Sequence, residues 1–225
     1  MAGSTVLPYP DRAAAGRALV PLLGPYRGRP DLLVLGLPRG GVPVAYEVAR
    51  GLGAPLDVFV VRKLGVPGHE ELAMGAIASG GARVIVPEVV RALRIDDGTF
   101  NSIADMEYRE VERREQLFRD ERPRLDVEGR VVVLVDDGLA TGATMRAAVH
   151  ALRELGPARI VVAVPAGAAE TCDELTRVAD EVVCAATPEP FQAVGLWYRD
   201  FAQTTDDEVR ALLADALGSR PGAAR

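Results

Sequence analysis

The chain has 225 residues, 48% hydrophobic and 26% charged, with a formal net charge of −6. This composition supports a buried core and excludes a disordered polyelectrolyte. The 32 acidic against 26 basic residues argue against a broad basic surface that would bind nucleic acid by counterion release. No run approaches the roughly 18 uncharged apolar residues that a membrane span needs. The opening MAGSTVLPYPDRAAAG has neither the charged nor the apolar region of a signal peptide, so a cytoplasmic protein is expected.

In chain order, short apolar runs rich in β-branched residues predict strands at 32–37 (LLVLGL), 55–61 (PLDVFVV), 83–86 (RVIV), 130–135 (RVVVLV), 159–164 (RIVVAV) and 181–186 (EVVCAA). Such continuous runs suit strands buried on both faces of a parallel sheet. Helical patterns at 42–51, 142–155 and 168–178 alternate with them. The expected fold is therefore α/β, an open, mostly parallel, twisted sheet flanked by helices. The stretch 99–122 breaks the alternation: Glu110 with Arg114 and Glu115 with Arg119 are spaced i,i+4, as on a solvated surface helix. Ile103, Met106, Val111, Leu117 and Phe118 could form its narrow apolar seam. Cys172 and Cys184 fall in a predicted helix and strand and are expected to be a reduced pair packed as small hydrophobes.

Ligands of open α/β sheets sit beyond the carboxyl ends of the strands, so the loops there carry the functional reading. The strand at 130–135 ends in Asp136 and Asp137, and a turn of small residues, Gly138-Leu139-Ala140-Thr141-Gly142-Ala143-Thr144, then opens a helix. Unpartnered N–H groups and the helix dipole make such a turn a phosphate site, and Thr141 and Thr144 add hydroxyl donors. The adjacent carboxylates would repel a phosphate unless the ligand also offers hydroxyls for them to accept. A phosphorylated sugar meets both demands.

An apolar strand, an acidic pair and the A-T-G-x-T turn at 140–144 together resemble the signature of type I phosphoribosyltransferases, which bind 5-phosphoribosyl 1-pyrophosphate (PRPP). The resemblance is clear over 32–63 and 131–155 and implies a small hood formed by terminal segments. It gives one domain over 1–217, with a core at about 30–186, a hood segment at about 187–217 and a flexible tail at 218–225. Carried over, Ala140, Thr141, Gly142, Ala143 and Thr144 hold the 5-phosphate, and Asp136 with Asp137 the ribose hydroxyls. Pro38-Arg39-Gly40-Gly41, after the first strand, resembles the family's pyrophosphate loop, which often holds a strained or cis peptide. Arg62 and Lys63, directly after the apolar run at 55–61, match basic residues that reach the pyrophosphate in several members, and Lys63 is the only lysine in the chain. Arg39, Lys63, Asp136 and Asp137 are accordingly the expected catalytic set.

The following segment 66–81 reads as loop-like at first and contains His69, where the family has a mobile loop that closes over the reactants. In the hood, Trp197 is the candidate to stack on a base, with Phe191 a weaker one. The third residue after the acidic pair is Ala140, where 6-oxopurine enzymes carry an acidic residue, so the base is not specified. The resemblance implies displacement of pyrophosphate from PRPP by a small nitrogenous acceptor. Mg²⁺ is then the cofactor, held mainly by the ligand's oxygens. It also implies a homodimer without nucleic-acid or membrane partners. A PRPP-sensing regulator on the same fold is the alternative.

Overall fold

The computed structural model describes residues 7–119 and 125–218. The chain runs α1 (Arg12–Leu19), β1 (Leu32–Gly36), α2 (Gly41–Leu52), β2 (Leu56–Val58), β3 (Val61–Val66), β4 (His69–Ala78), β5 (Ala82–Ile85), α3 (Pro87–Ala92), α4 (Asp97–Arg119) and β6 (Val131–Val135). It continues through α5 (Ala143–Arg153), β7 (Arg159–Ala166), α6 (Ala169–Leu175), β8 (Glu181–Ala186) and α7 (Asp206–Gly218). No helix among the described residues is long and apolar enough to cross a membrane.

Five strands form one parallel sheet in the order β2-β1-β6-β7-β8, as the alternation of apolar runs and helical patterns predicts. Every residue of β1 and β6 is buried, because helices cover both faces. Alternate side chains build two cores. Val34, Val133, Val135 and Val161 pack with α1, α2, α4 and α7 on one face. Leu35, Leu134, Val162 and Val164 pack with α5 and α6 on the other. The largest side chains in these cores, such as Phe59, Leu35 and Leu134, are fully buried, each contributing about 1.5–3 kcal/mol.

The run at 55–61 is not one strand. β2 ends at Val58, and Phe59 N–H still bonds Gly36 O at 3.0 Å. Val60 then exchanges bonds with Ser79, donating to its Oγ at 2.9 Å and accepting from its N–H at 2.8 Å. Ser79 thus peels the chain off the parallel sheet into a second, antiparallel sheet, β3-β4-β5. The segment 83–86 belongs there too, as β5 with an alternating exposure, and is not a buried parallel strand. The expected loop at 66–81 is a hairpin whose turn lies between Val66 and His69.

Helix α4 forms where the charge pattern placed it, with Glu110 and Arg114 paired at 2.7 Å and Glu115 and Arg119 at 3.7 Å. It is more than a surface helix: Phe100, Ala104, Val111 and Phe118 are buried against the hairpin and α7, whereas Met106 is exposed. Cys172 and Cys184 are joined in a disulfide, contrary to the expected reduced pair. Packing of α6 against β8 brings their Cα atoms to 6.8 Å, within the range a disulfide spans. Residues 219–225 of the expected tail lie outside the described residues.

Candidate active site

The glycine loop and the acidic turn leave neighbouring strands, β1 and β6, at their carboxyl ends. Leu37 N–H bonds Val135 O at 2.9 Å, so both loops start from one fixed point. The first loop contains a cis peptide between Pro38 and Arg39 and passes directly into α2. Gly40 and Gly41 lack side chains where the acidic pair needs room. A Cβ on Gly40 would lie 2.0 Å from Asp137 Oδ2, and one on Gly41 would lie 2.7 Å from Val135 O and 3.0 Å from Asp136 Oδ1. The structure therefore sets Gly40 and Gly41 against Asp136 and Asp137, whereas the Arg39 side chain faces Asp206 at 3.6 Å.

The turn 138–144 is strapped from three sides. Leu139 is buried and bonds Ala166 O at 2.9 Å, while Ala168 N–H donates to Leu139 O at 3.0 Å. Thr171 Oγ1 donates to Ala140 O at 2.7 Å, and Arg146 donates to Thr141 O at 2.9 Å while pairing with Glu174 at 3.0 Å. Gly142, in the left-handed region at φ 67°, precedes α5, and no side chain among the described residues caps that helix. The helix therefore begins with N–H groups free for an anion, and Thr141 and Thr144 are exposed beside them.

Burial raises the proton affinity of both carboxylates in this confined position. Asp136 is held well above the usual carboxylate range by burial and by the charge of Asp137. Burial raises Asp137 too, and Arg12 opposes that rise. Arg12 is a site residue that the sequence reading missed. Its Nε donates to Asp137 Oδ2 at 2.9 Å, an Nη donates to Ala202 O at 2.7 Å, and its guanidinium lies 3.9 Å from the centroid of the Phe201 ring. Tyr198 joins it from the hood: its hydroxyl donates to Asp137 O at 2.6 Å. No local pattern links Arg12 or Tyr198 to a turn 125 and 61 positions away.

The remaining predicted residues are placed as follows. Arg62 pairs with Glu107 of α4 at 2.7 Å. Lys63, next along β3, points to the opposite face of the hairpin; it is half-buried, and its side chain makes no ion pair or hydrogen bond among the described residues. His69 is exposed at the start of β4. Trp197 ends a short 3-10 turn, Val194–Trp197, and stacks on Phe191 with ring centroids 6.0 Å apart. Its indole nitrogen is buried with no hydrogen-bond partner among the described residues. The turn packs onto the acidic loop, where a Cβ on Gly138 would lie 2.5 Å from Val194.

This fold and site define a class. The chain belongs to the phosphoribosyl transferase domain family, which matches residues 13–196, and its parallel sheet is that of the type I phosphoribosyltransferases. It is 50% identical over 205 residues to a provisionally named phosphoribosyl transferase of Mycobacterium tuberculosis, covering 91% of this chain and 46% of that protein. The chain thus spans about half the length of such curated relatives. Over 129 residues it is 36% identical to the bifunctional protein PyrR of Chloroflexus aurantiacus, covering 56% of this chain and 65% of that protein. The crystal structure of TT1426 from Thermus thermophilus superposes with a TM-score of 0.84 at 44% identity, covering 92% of this chain and 98% of that one.

Proposed function

We propose that the chain binds PRPP and transfers its phosphoribosyl group to a nitrogenous acceptor, releasing pyrophosphate. The supporting observation is the contact between the acidic pair and the two glycines of the preceding loop, which sets a diol site between two anion-accepting turns. In this reading residues 140–144 hold the 5-phosphate, and Asp136 with Asp137 accept hydrogen bonds from the ribose hydroxyls. The backbone of Arg39, Gly40 and Gly41 holds the pyrophosphate. Arg39 and Lys63 balance its charge, while Arg62, bound to Glu107, keeps the hairpin against α4.

The bond from C1 to the pyrophosphate oxygen breaks with its electron pair going to pyrophosphate. The acceptor nitrogen supplies the pair for the new bond to C1 and then loses a proton. Catalysis comes from orientation and from stabilising the departing charge, with no covalent protein intermediate. The described residues contain no group of three or more His, Cys, Asp or Glu able to cage a metal. A Mg²⁺ ion held mainly by PRPP oxygens and water would neutralise diphosphate charge, with any contact to Asp136 or Asp137 secondary. Trp197 and Phe191 supply the flat surface for the acceptor's ring. A cytoplasmic homodimer completes the proposal, which sedimentation of the purified chain checks.

The test is incubation with PRPP, Mg²⁺ and a panel of purine and pyrimidine bases while pyrophosphate release is followed. Base-dependent release supports transfer. Tight PRPP binding with no release from any base would replace it with the PRPP-sensing regulator.

A further inference from the structure

The C-terminal half of α4 runs beside the glycine loop and closes a cavity of about 340 Å³. Its walls include Arg39, Arg113, Arg114, Leu117, Phe118 and Asp206. The guanidiniums here are incompletely satisfied. Arg113 and Arg114 share one carboxylate, that of Glu110, at 2.8 and 2.7 Å. Arg39 meets Asp206 only at 3.6 Å and makes no side-chain hydrogen bond among the described residues. A charge-assisted bond between these groups is about 2.7–2.9 Å long, so Arg39 has its donors available.

Three cations against two carboxylates leave the cavity net positive in a chain of net charge −6. The two arginines hold the Glu110 carboxyl down at about 2, Arg113 first, so this balance persists across neutral pH. The space is several times the roughly 30 Å³ share of one water, enough for a diphosphate with part of its hydration. Planar forks that offer paired donors suit phosphate oxygens.

We propose that this cavity is a diphosphate-binding site in which Arg113 and Arg114 of α4 act together with Arg39. It rests on the phosphoribosyltransferase reading only for the origin of the ligand, which is either pyrophosphate leaving PRPP or a free phosphate-bearing effector. Because Arg39 O accepts from Val42 N–H at 3.1 Å at the start of α2, the side chain that lines the cavity belongs to the loop that faces Asp137. An occupant of the cavity therefore acts on that loop.

The experiment is calorimetric titration of the full chain with inorganic pyrophosphate, alone and in the presence of PRPP. Variants are Arg113→Gln/Arg114→Gln, the charge-preserving Arg113→Lys/Arg114→Lys, and the exposed control Arg91→Gln. The single Arg113→Gln, on a side chain 60% exposed, serves if the double variant fails to fold. Wild type and control bind pyrophosphate. The double Gln variant binds at least about tenfold more weakly, given the strength of bonds to charged groups, and the Lys variant recovers most of the loss. Competition with PRPP assigns the ligand to the leaving group, and binding on top of PRPP assigns it to an effector. No binding by wild type, or equal affinity in folded Gln variants, overturns the site. If PRPP binding and turnover persist in that case, the functional reading stands alone. If pyrophosphate binds through these arginines while PRPP does not bind, the functional reading fails and the site stands.

Discussion

The loops after β1 and β6 end neighbouring strands and each opens a helix, yet they are held in different ways. The acidic turn is fastened by side chains from elsewhere: Arg146 and Thr171 grip its carbonyls, and Arg12 and Tyr198 grip Asp137. The glycine loop is shaped by what it lacks, since Gly40 and Gly41 leave space that the carboxylates fill. Its one charged side chain, Arg39, is only loosely paired. The contrast separates a prebuilt diol and phosphate cradle from a partner loop whose charge is free to meet a ligand. Preorganisation of that kind lowers the cost of binding.

The largest expected effect comes from filling the gap between the loops. Gly40→Ala puts a methyl 2.0 Å from Asp137 Oδ2 and must push the carboxylate aside. PRPP affinity is expected to fall roughly 100-fold, about 2.7 kcal/mol, in a calorimetric titration.

Next is Arg12→Met, which removes a bond to a charged group and should weaken PRPP binding about tenfold at neutral pH. Asp137 then sits beside Asp136 and Tyr198 without the Arg12 cation that keeps its proton affinity in check. The acid limb of the binding profile therefore moves to higher pH, and Arg12→Lys partly restores it. An unshifted limb would show that Arg12 is only a packing residue.

Asp136→Asn is expected to stabilise the fold while weakening ligand binding. The folded state keeps a proton on Asp136 that the unfolded chain releases near the usual value of about 3.9. Stability therefore falls as pH rises from there through the raised folded value. Asn removes this slope, so the variant should melt about 2–4 °C higher at neutral pH, with the gain vanishing at acid pH. The smallest effect is expected for Arg146→Ala, which frees one strap of the turn and costs about 1 kcal/mol in a denaturant melt.

Much of this arrangement was legible in the sequence where the information is local. Asp136 to Thr144 is one contiguous strand, acid pair and turn, and its form follows from residues next to one another. Arg12 could not be read, because it meets Asp137 only through folding of the terminal segment around Tyr9 and Tyr198. The hairpin was hidden because Phe59, Val60 and Val61 continue the apolar run of β2 without a break. The switch between sheets is made by Ser79, a polar residue buried nearly twenty positions later. The disulfide was missed because its spacing of 12 is meaningful only once α6 folds back on β8. Arg62 and Lys63 read as one basic pair, but strand alternation sends them to opposite faces.

The most direct test of the central claim, that the paired loops form a PRPP site, is titration of PRPP with Mg²⁺ into the wild-type chain and into Asp136→Asn/Asp137→Asn. This double variant keeps the shape of the pair and removes its charge. The account predicts saturable binding by the wild type and its loss in a double variant whose melt shows it folded. Wild-type affinity in that folded variant, or no binding by the wild type, would contradict it.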